Sequence, residues 1–256
     1  MPTHNTFKRA LAEGRPQVGL WASLCSNVAA NVIADSGFDF IVVDMEHTVN
    51  DLGTVLTQMQ ALEASPTTTV VRAPWNDAVM FKRLMDMGAH SLLVPFVQSA
   101  EEARQAVRQM RYPPHGIRGV AVSTRANRYG RDKSYFATVH DEICLLVQLE
   151  TREALTHLEE IAAIDEVDGI FIGPSDLSAD FDHLGNPGHQ DTRDAIADAA
   201  ARGQAAGKAM GFLTGDIAQA HECFDMGFTF VAVGADVGIL RAGADALVTE
   251  FSRHKN

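Results

Sequence analysis

Eight short apolar runs punctuate the chain, at 17–21, 38–44, 67–72, 91–95, 143–149, 169–172, 209–213 and 228–234. They lack the strict apolar–polar alternation of a half-exposed strand. Runs of this kind read as strands buried on both faces, as in a parallel sheet covered by helices. Between them lie amphipathic stretches that predict helices at 27–35, 51–64, 77–87, 99–110, 152–163, 192–206 and 217–226, with a last one running to Phe251. A short helix over 3–13 precedes the first strand, with Thr3 or Asn5 as its cap. Gly37, Gly88 and Pro66 stand where helices should stop, and Ser99 where one should start. The span 112–141 breaks the rhythm with Pro113, Pro114, Gly116 and Gly119 and four arginines, Arg118, Arg125, Arg128 and Arg131. It reads as a long functional loop containing a short helix.

Eight strand–helix units in 256 residues, with no polar linker, predict a single-domain (β/α)8 TIM barrel over 1–256. An open doubly wound sheet is the alternative, but no GxGxxG follows the first strand. A net charge of −12 argues against nucleic acid or an anionic membrane as partner. A small anionic substrate stays compatible, because local arginines and a metal override the global field. Cys25, Cys144 and Cys223 are odd in number and scattered, which suits a reducing compartment better than a disulfide framework. The first residues lack an apolar signal core, and no run approaches about 18 apolar residues, so the expectation is a cytoplasmic protein.

Barrel chemistry sits at the C-terminal ends of strands. Reading those ends gives Asp44, with Glu46 and His47 just beyond, then Arg72, Glu150, Ser175 and Asp176. Glu150 and Asp176 close consecutive strands, so they reach the same rim. Hard carboxylate oxygens with few other donors suit Mg²⁺ or Mn²⁺. The plainer reading makes each a cap of the following helix or turn. His47, shortly after Asp44, is a candidate base oriented by a carboxylate, or else an ordinary loop histidine. Arg72 is placed to hold an oxyanion, or serves as a structural ion-pair partner. Gly173-Pro174-Ser175-Asp176 offers backbone N–H groups to a carboxylate, or forms a simple Pro-led turn. Gly234 with the turn to Gly238 gives a weak phosphate-cradle signal. Lys8, Lys82, Lys133, Lys208 and Lys255 all fall away from the strand ends, so no Schiff-base lysine is available; if this barrel does carbonyl-carbon chemistry, a metal has to be the electron sink.

Seven segments carry a family resemblance: VVDMEHT (42–48), VVRAPWND (70–77), LLVPFVQSAEEA (92–103), RYPPHGIRGV (111–120), LVQLETREAL (146–155), GIFIGPSDLSAD (169–180) and FVAVGADVGIL (230–240). The chain resembles the HpcH/HpaI-type class II pyruvate aldolases, the family of 4-hydroxy-2-oxoheptanedioate and 2-dehydro-3-deoxygalactarate aldolases. The resemblance implies reversible cleavage of a 4-hydroxy-2-oxo acid to pyruvate and an aldehyde through a metal-stabilised pyruvate enolate. It implies Glu150 and Asp176 as ligands of Mg²⁺, Mn²⁺ or Co²⁺, and Arg72 at the enolate oxygen. His47 with Asp44 would move protons, Gln148 would lie near the metal, and Asp86 would support the His47 region. Gly173, Ser175 and Asp176 fall in the substrate-binding segment. Such proteins are commonly hexamers that exchange the C-terminal helix, which implies a hexamer with Arg125 and its loop at a shared site. The 121–131 stretch, Ser175 and Thr214-Gly215-Asp216 depart from the usual pattern, and bear on the identity of the aldehyde. The rival readings are a metal-dependent lyase of the citramalyl- or malyl-CoA kind and a phosphosugar-binding barrel.

Overall fold

The computed structural model describes residues 4–254; Thr3 and Lys255, named above, lie outside the described residues. Its strands are β1 (Gln17–Ala22), β2 (Phe40–Asp44), β3 (Thr68–Arg72), β4 (Ser91–Val94), β5 (Cys144–Leu149), β6 (Gly169–Ile172), β7 (Ala209–Leu213) and β8 (Phe230–Ala235). They pair in sequence order, all parallel, and β8 closes on β1. The expected barrel is therefore formed. The helices also start where their caps foretell. Asn5 accepts from the Lys8 N–H at 3.0 Å, Ser99 caps Ala100–Met110, and Asp51 with Thr54 forms a capping box ahead of Leu52–Leu62.

Two local expectations need correction. The helix expected over 152–163 is two pieces, Arg152–Thr156 and Leu158–Ala162, separated at His157. The Gly-Pro segment after β6, read as a turn, starts a helix, Pro174–Asp180, with Gly173 as N-cap. Proline at the first helical position loses no hydrogen bond, since that N–H would have no partner in any case.

Alternation along the strands divides the core in two. Outward side chains pack under the helices. Inward ones, among them Val42, Val70, Leu93, Leu146, Phe171 and Ala232, fill the barrel. Helix Thr6–Ala12 crosses the N-terminal opening and drives Phe7 into it. The Phe7 ring lies 5.0 Å from Phe40 and 5.8 Å from Phe230, so three aromatic rings floor the barrel. Room for them comes from neighbouring glycines. A methyl group at Gly19 would enter the Phe40 ring, and one at Gly211 the Phe230 ring. Phe7 packs on both rings, and they pack on each other, so neither has room to retreat. Gly211→Ala is therefore expected to cost about 2–3 kcal/mol by overpacking. In a domain of this size that is a fall of roughly 5–10 °C in thermal melting. An unchanged melt would show slack in this layer.

The last helix, Asp236–Glu250, packs differently. Asp236 is its one buried residue, while Val237, Ile239, Leu240, Leu247 and Val248 are exposed. Among the described residues no helix is long and apolar enough to cross a membrane.

Candidate active site

β2 and β3 run in a register that sets Asp44 beside Arg72, both on the inward face at the C-terminal end. Arg72 donates from Nε to Asp44 Oδ1 and from Nη2 to Asp44 Oδ2, each at 2.7 Å. Its third nitrogen, Nη1, meets Glu46 Oε2 at 2.8 Å. The guanidinium carbon lies 4.9 Å from the centre of the Trp21 ring. Two carboxylates and an aromatic face thus fix one buried cation. Burial works to raise the Asp44 pKa, but the bonds and charge of Arg72 prevail and hold it below its ordinary value.

Glu150 follows β5 and is 1% exposed. Its Oε1 accepts from the Phe96 backbone N–H at 2.8 Å, and its Oε2 from Gln148 Nε2 at 2.6 Å. Phe96 adopts φ +55°, a left-handed conformation unusual for a bulky residue and one that carries a strain cost. Gly173, at the end of β6, passes so close that a Cβ there would lie 2.8 Å from Glu150 Cβ and 3.3 Å from Gln148 Nε2. Only glycine fits that approach. Gln148 Oε1 is buried without a hydrogen-bond partner, a polar atom left facing the same region. Asp176 and Ser175 occupy the exposed first turn of the helix that Gly173 begins.

Four carboxylates act on one another here. Burial pushes Glu46 up to about 7, Arg72 opposes this, and the charges of Asp44 and Asp176 add to it. Burial likewise pushes Glu150 up to about 7; the Gln148 bond eases the shift, while the charges of Glu46 and Asp176 add to it. One guanidinium does not balance this much negative charge. A divalent cation taken up by all-oxygen donors would, so the donor set fits a hard ion.

Several residues singled out from the sequence sit elsewhere or differently. His47 is on the same rim but exposed, with Nε2 3.7 Å from Glu46 Oε1. No hydrogen bond or ion pair joins it to Asp44, whose two oxygens are taken by Arg72. Asp86 ends helix Ala78–Asp86 at the opposite, N-terminal face, and its Oδ1 accepts from Arg118 Nη2 at 2.5 Å. Arg125 reaches that face too, donating to the Met87 carbonyl and to Glu63 Oε2, both at 2.7 Å. Within one chain, neither approaches Arg72. The turn near Gly234 offers no anion cradle: the Asp236 carboxylate accepts from the backbone N–H groups of Ser23, Leu24 and Val237 at 2.8, 3.2 and 2.7 Å. Sequence reading missed the role of Glu46. It lies two residues beyond the inward-facing Asp44, and that parity was the available signal. It missed also an aromatic wall beside Glu150, where Trp75 stacks on Phe96 with centroids 5.7 Å apart and both rings exposed.

A profile of the HpcH/HpaI aldolase/citrate lyase family matches residues 17–242. The chain belongs to that family. It is 50% identical over 252 residues to a 4-hydroxy-2-oxo-heptane-1,7-dioate aldolase of Klebsiella pneumoniae subsp. pneumoniae, covering 98% of this chain and 95% of the relative. It is 48% identical over 248 residues to a pyruvate aldolase of Rhizobium etli, covering 97% and 98%. Among solved structures, an HpcH/HpaI aldolase/citrate lyase family protein from Burkholderia cenocepacia J2315 superposes with a TM-score of 0.92 at 38% identity, over 95% of this chain and 98% of that one. As a member of the HpcH/HpaI family the protein is a carbon–carbon lyase.

The raised Glu150 pKa makes a signed prediction. The folded value near 7 exceeds the ordinary 4.5, so the folded chain binds this proton more tightly than the unfolded one. That contribution to stability is complete below about 4.5 and is lost as pH rises through 7. Glu150→Gln removes the penalty. The metal-free variant should melt above wild type at about pH 8 and level with it at about pH 5, as thermal denaturation would show.

Proposed function

We propose that the protein is a divalent-metal-dependent aldolase that reversibly cleaves a 4-hydroxy-2-oxo acid to pyruvate and an aldehyde. One observation carries this reading. Glu46, ion-paired with Arg72, lies near enough to Glu150 and Asp176 for their charges to act on one another at the C-terminal end of a barrel, in a family whose named activities make or break carbon–carbon bonds. Glu150 and Asp176 would hold Mg²⁺, Mn²⁺ or Co²⁺. When bound, the ion supplies Lewis-acid stabilisation of negative charge on the 2-oxo oxygen.

The chain's own residues do the rest. Arg72, oriented by Asp44 and Glu46, presents fixed positive charge to the oxygen on which charge builds as the C3–C4 bond breaks. Gln148 and the N–H groups of Ser175 and Asp176 orient the substrate carboxylate, with Gly173 keeping the approach clear. His47 takes the proton of the 4-hydroxyl as the aldehyde forms. The bond's electron pair stays with the pyruvate fragment, whose C3 then accepts a proton. Asp86 and Arg125 belong, in this reading, to the site of a neighbouring subunit in a hexamer. The uncovered apolar face of helix Asp236–Glu250 supports such an assembly, with a second copy as its occupant.

Two rivals lose ground on specific features. The loops that directly follow the strands contain no lysine or arginine, and Arg152, just beyond β5, is paired with Asp180 at 3.2 Å. Phosphates of a CoA ester find no cation there. A phosphosugar would meet the Asp236 carboxylate in place of an anion cradle. The test is proton NMR of pyruvate in D₂O. Loss of the methyl signal with Mg²⁺ or Co²⁺, and none when EDTA is present, is expected. Folded protein that exchanges nothing with any of the three ions would overturn the assignment.

A further inference from the structure

The segment that leads from Asp176 toward helix Gln190–Ala205 folds into a compact loop, Phe181 to His189, turned by Asp182 at φ +64° and Gly185 at φ +77°. The turns bring His183 back over His189, with ring centroids 3.4 Å apart and 25° between the planes. Asp191, in the first turn of the helix, joins them. Its Oδ2 lies 2.8 Å from His183 Nε2 and 3.5 Å from His189 Nδ1. Among the described residues this is the one group of three His, Cys, Asp or Glu side chains whose donor atoms all fall within 4.8 Å. The reaction proposed above uses none of them.

We propose that His183, His189 and Asp191 form a second metal site, selective for borderline transition ions of the Zn²⁺ and Ni²⁺ type. Ligand bonds of about 2.1 Å at tetrahedral angles put donor atoms about 3.4 Å apart, and the two observed spacings bracket that value. Two imidazoles and a carboxylate are the donors such ions favour, and the ones Mg²⁺ leaves to water. The carboxylates at Glu150 and Asp176 have the opposite preference, so the two sites are chemically separable. All three side chains are at least partly open to solvent, which gives an ion a path in and leaves a coordination position for water. The bound ion would clamp the loop to its helix on the chain segment that carries Asp176.

The test is calorimetric titration of Zn²⁺, and separately Ni²⁺, into EDTA-treated full-length protein held in excess Mg²⁺. One equivalent should bind in wild type and in Glu150→Gln alike, with a rise in melting temperature. His183→Ala and His189→Ala should each weaken it by more than the 10–100-fold that loss of an outer-shell partner costs. His183→Gln, which keeps a polar contact to Asp191, guards against loss of the loop itself: it should melt like wild type without Zn²⁺ and still fail to bind. Zn²⁺ binding unchanged in both alanine variants would overturn the site, as would binding lost only in Glu150→Gln. Failure of the wild type to bind one equivalent would overturn it too.

Discussion

Glu150→Gln protein, folded and pure, is expected to exchange the methyl protons of pyruvate at least about 10³-fold more slowly than wild type at any of the three ions, a loss on the scale of removing a principal electrostatic element. Glutamine keeps the size of glutamate and one acceptor oxygen, so either the Phe96 N–H or Gln148 Nε2 retains a partner. What disappears is a full negative charge, the property that draws a divalent ion into a buried position. The same variant should be at least as stable as wild type near neutrality, so lost turnover with a retained melt isolates the chemical cause. Exchange at the wild-type rate would remove Glu150 from the ion's surroundings and with it the proposed mechanism.

Arg72 substitution should act on two properties at once. Arg72→Ala strips the buried carboxylate of Asp44 of its bidentate partner and Glu46 of its ion pair, and breaking a buried pair typically costs about 3–5 kcal/mol. Turnover should fall by roughly 10²–10³-fold, the loss seen when a charge-stabilising donor is removed. Arg72→Lys separates the two effects. It restores a charge but not the planar fork, so much of the stability should return while most of the turnover does not. Urea unfolding beside single-turnover kinetics reads both. A lysine variant with full activity would reduce Arg72 to a structural ion-pair partner.

The barrel was legible because burial on both faces leaves an unmistakable apolar run, and because glycines and capping residues mark where helices stop and start. The rim was partly legible for the same reason: residues that close buried strands point to one end. Glu150, Asp44 and Arg72 are found at that end as the strand ends foretold. Glu46 was placed at the rim but given no role, because its ion pair with Arg72 forms beyond the strand, where only parity hints at it. Helix Pro174–Asp180 escaped because Gly, Pro, Ser and Asp are turn residues by composition, and the proline's position at a helix start is positional information. Asp86 and Arg125 illustrate a different limit. Neither lies in a segment that carries the family resemblance, and the single chain places both across the barrel from Arg72. Where a second chain would put them is not written in local periodicity.

The aromatic floor has a consequence for kinetics. With Phe7, Phe40 and Phe230 closing the far end, substrate and both products share a single doorway. The fragment held deepest, beside Arg72 and Glu150, must wait for the other to depart. For the reaction proposed above, cleavage would then be ordered, with the aldehyde leaving first and pyruvate last. In steady state pyruvate would inhibit competitively against the hydroxyketoacid and the aldehyde noncompetitively, so the sequence of departures is set by which end of the barrel is stoppered.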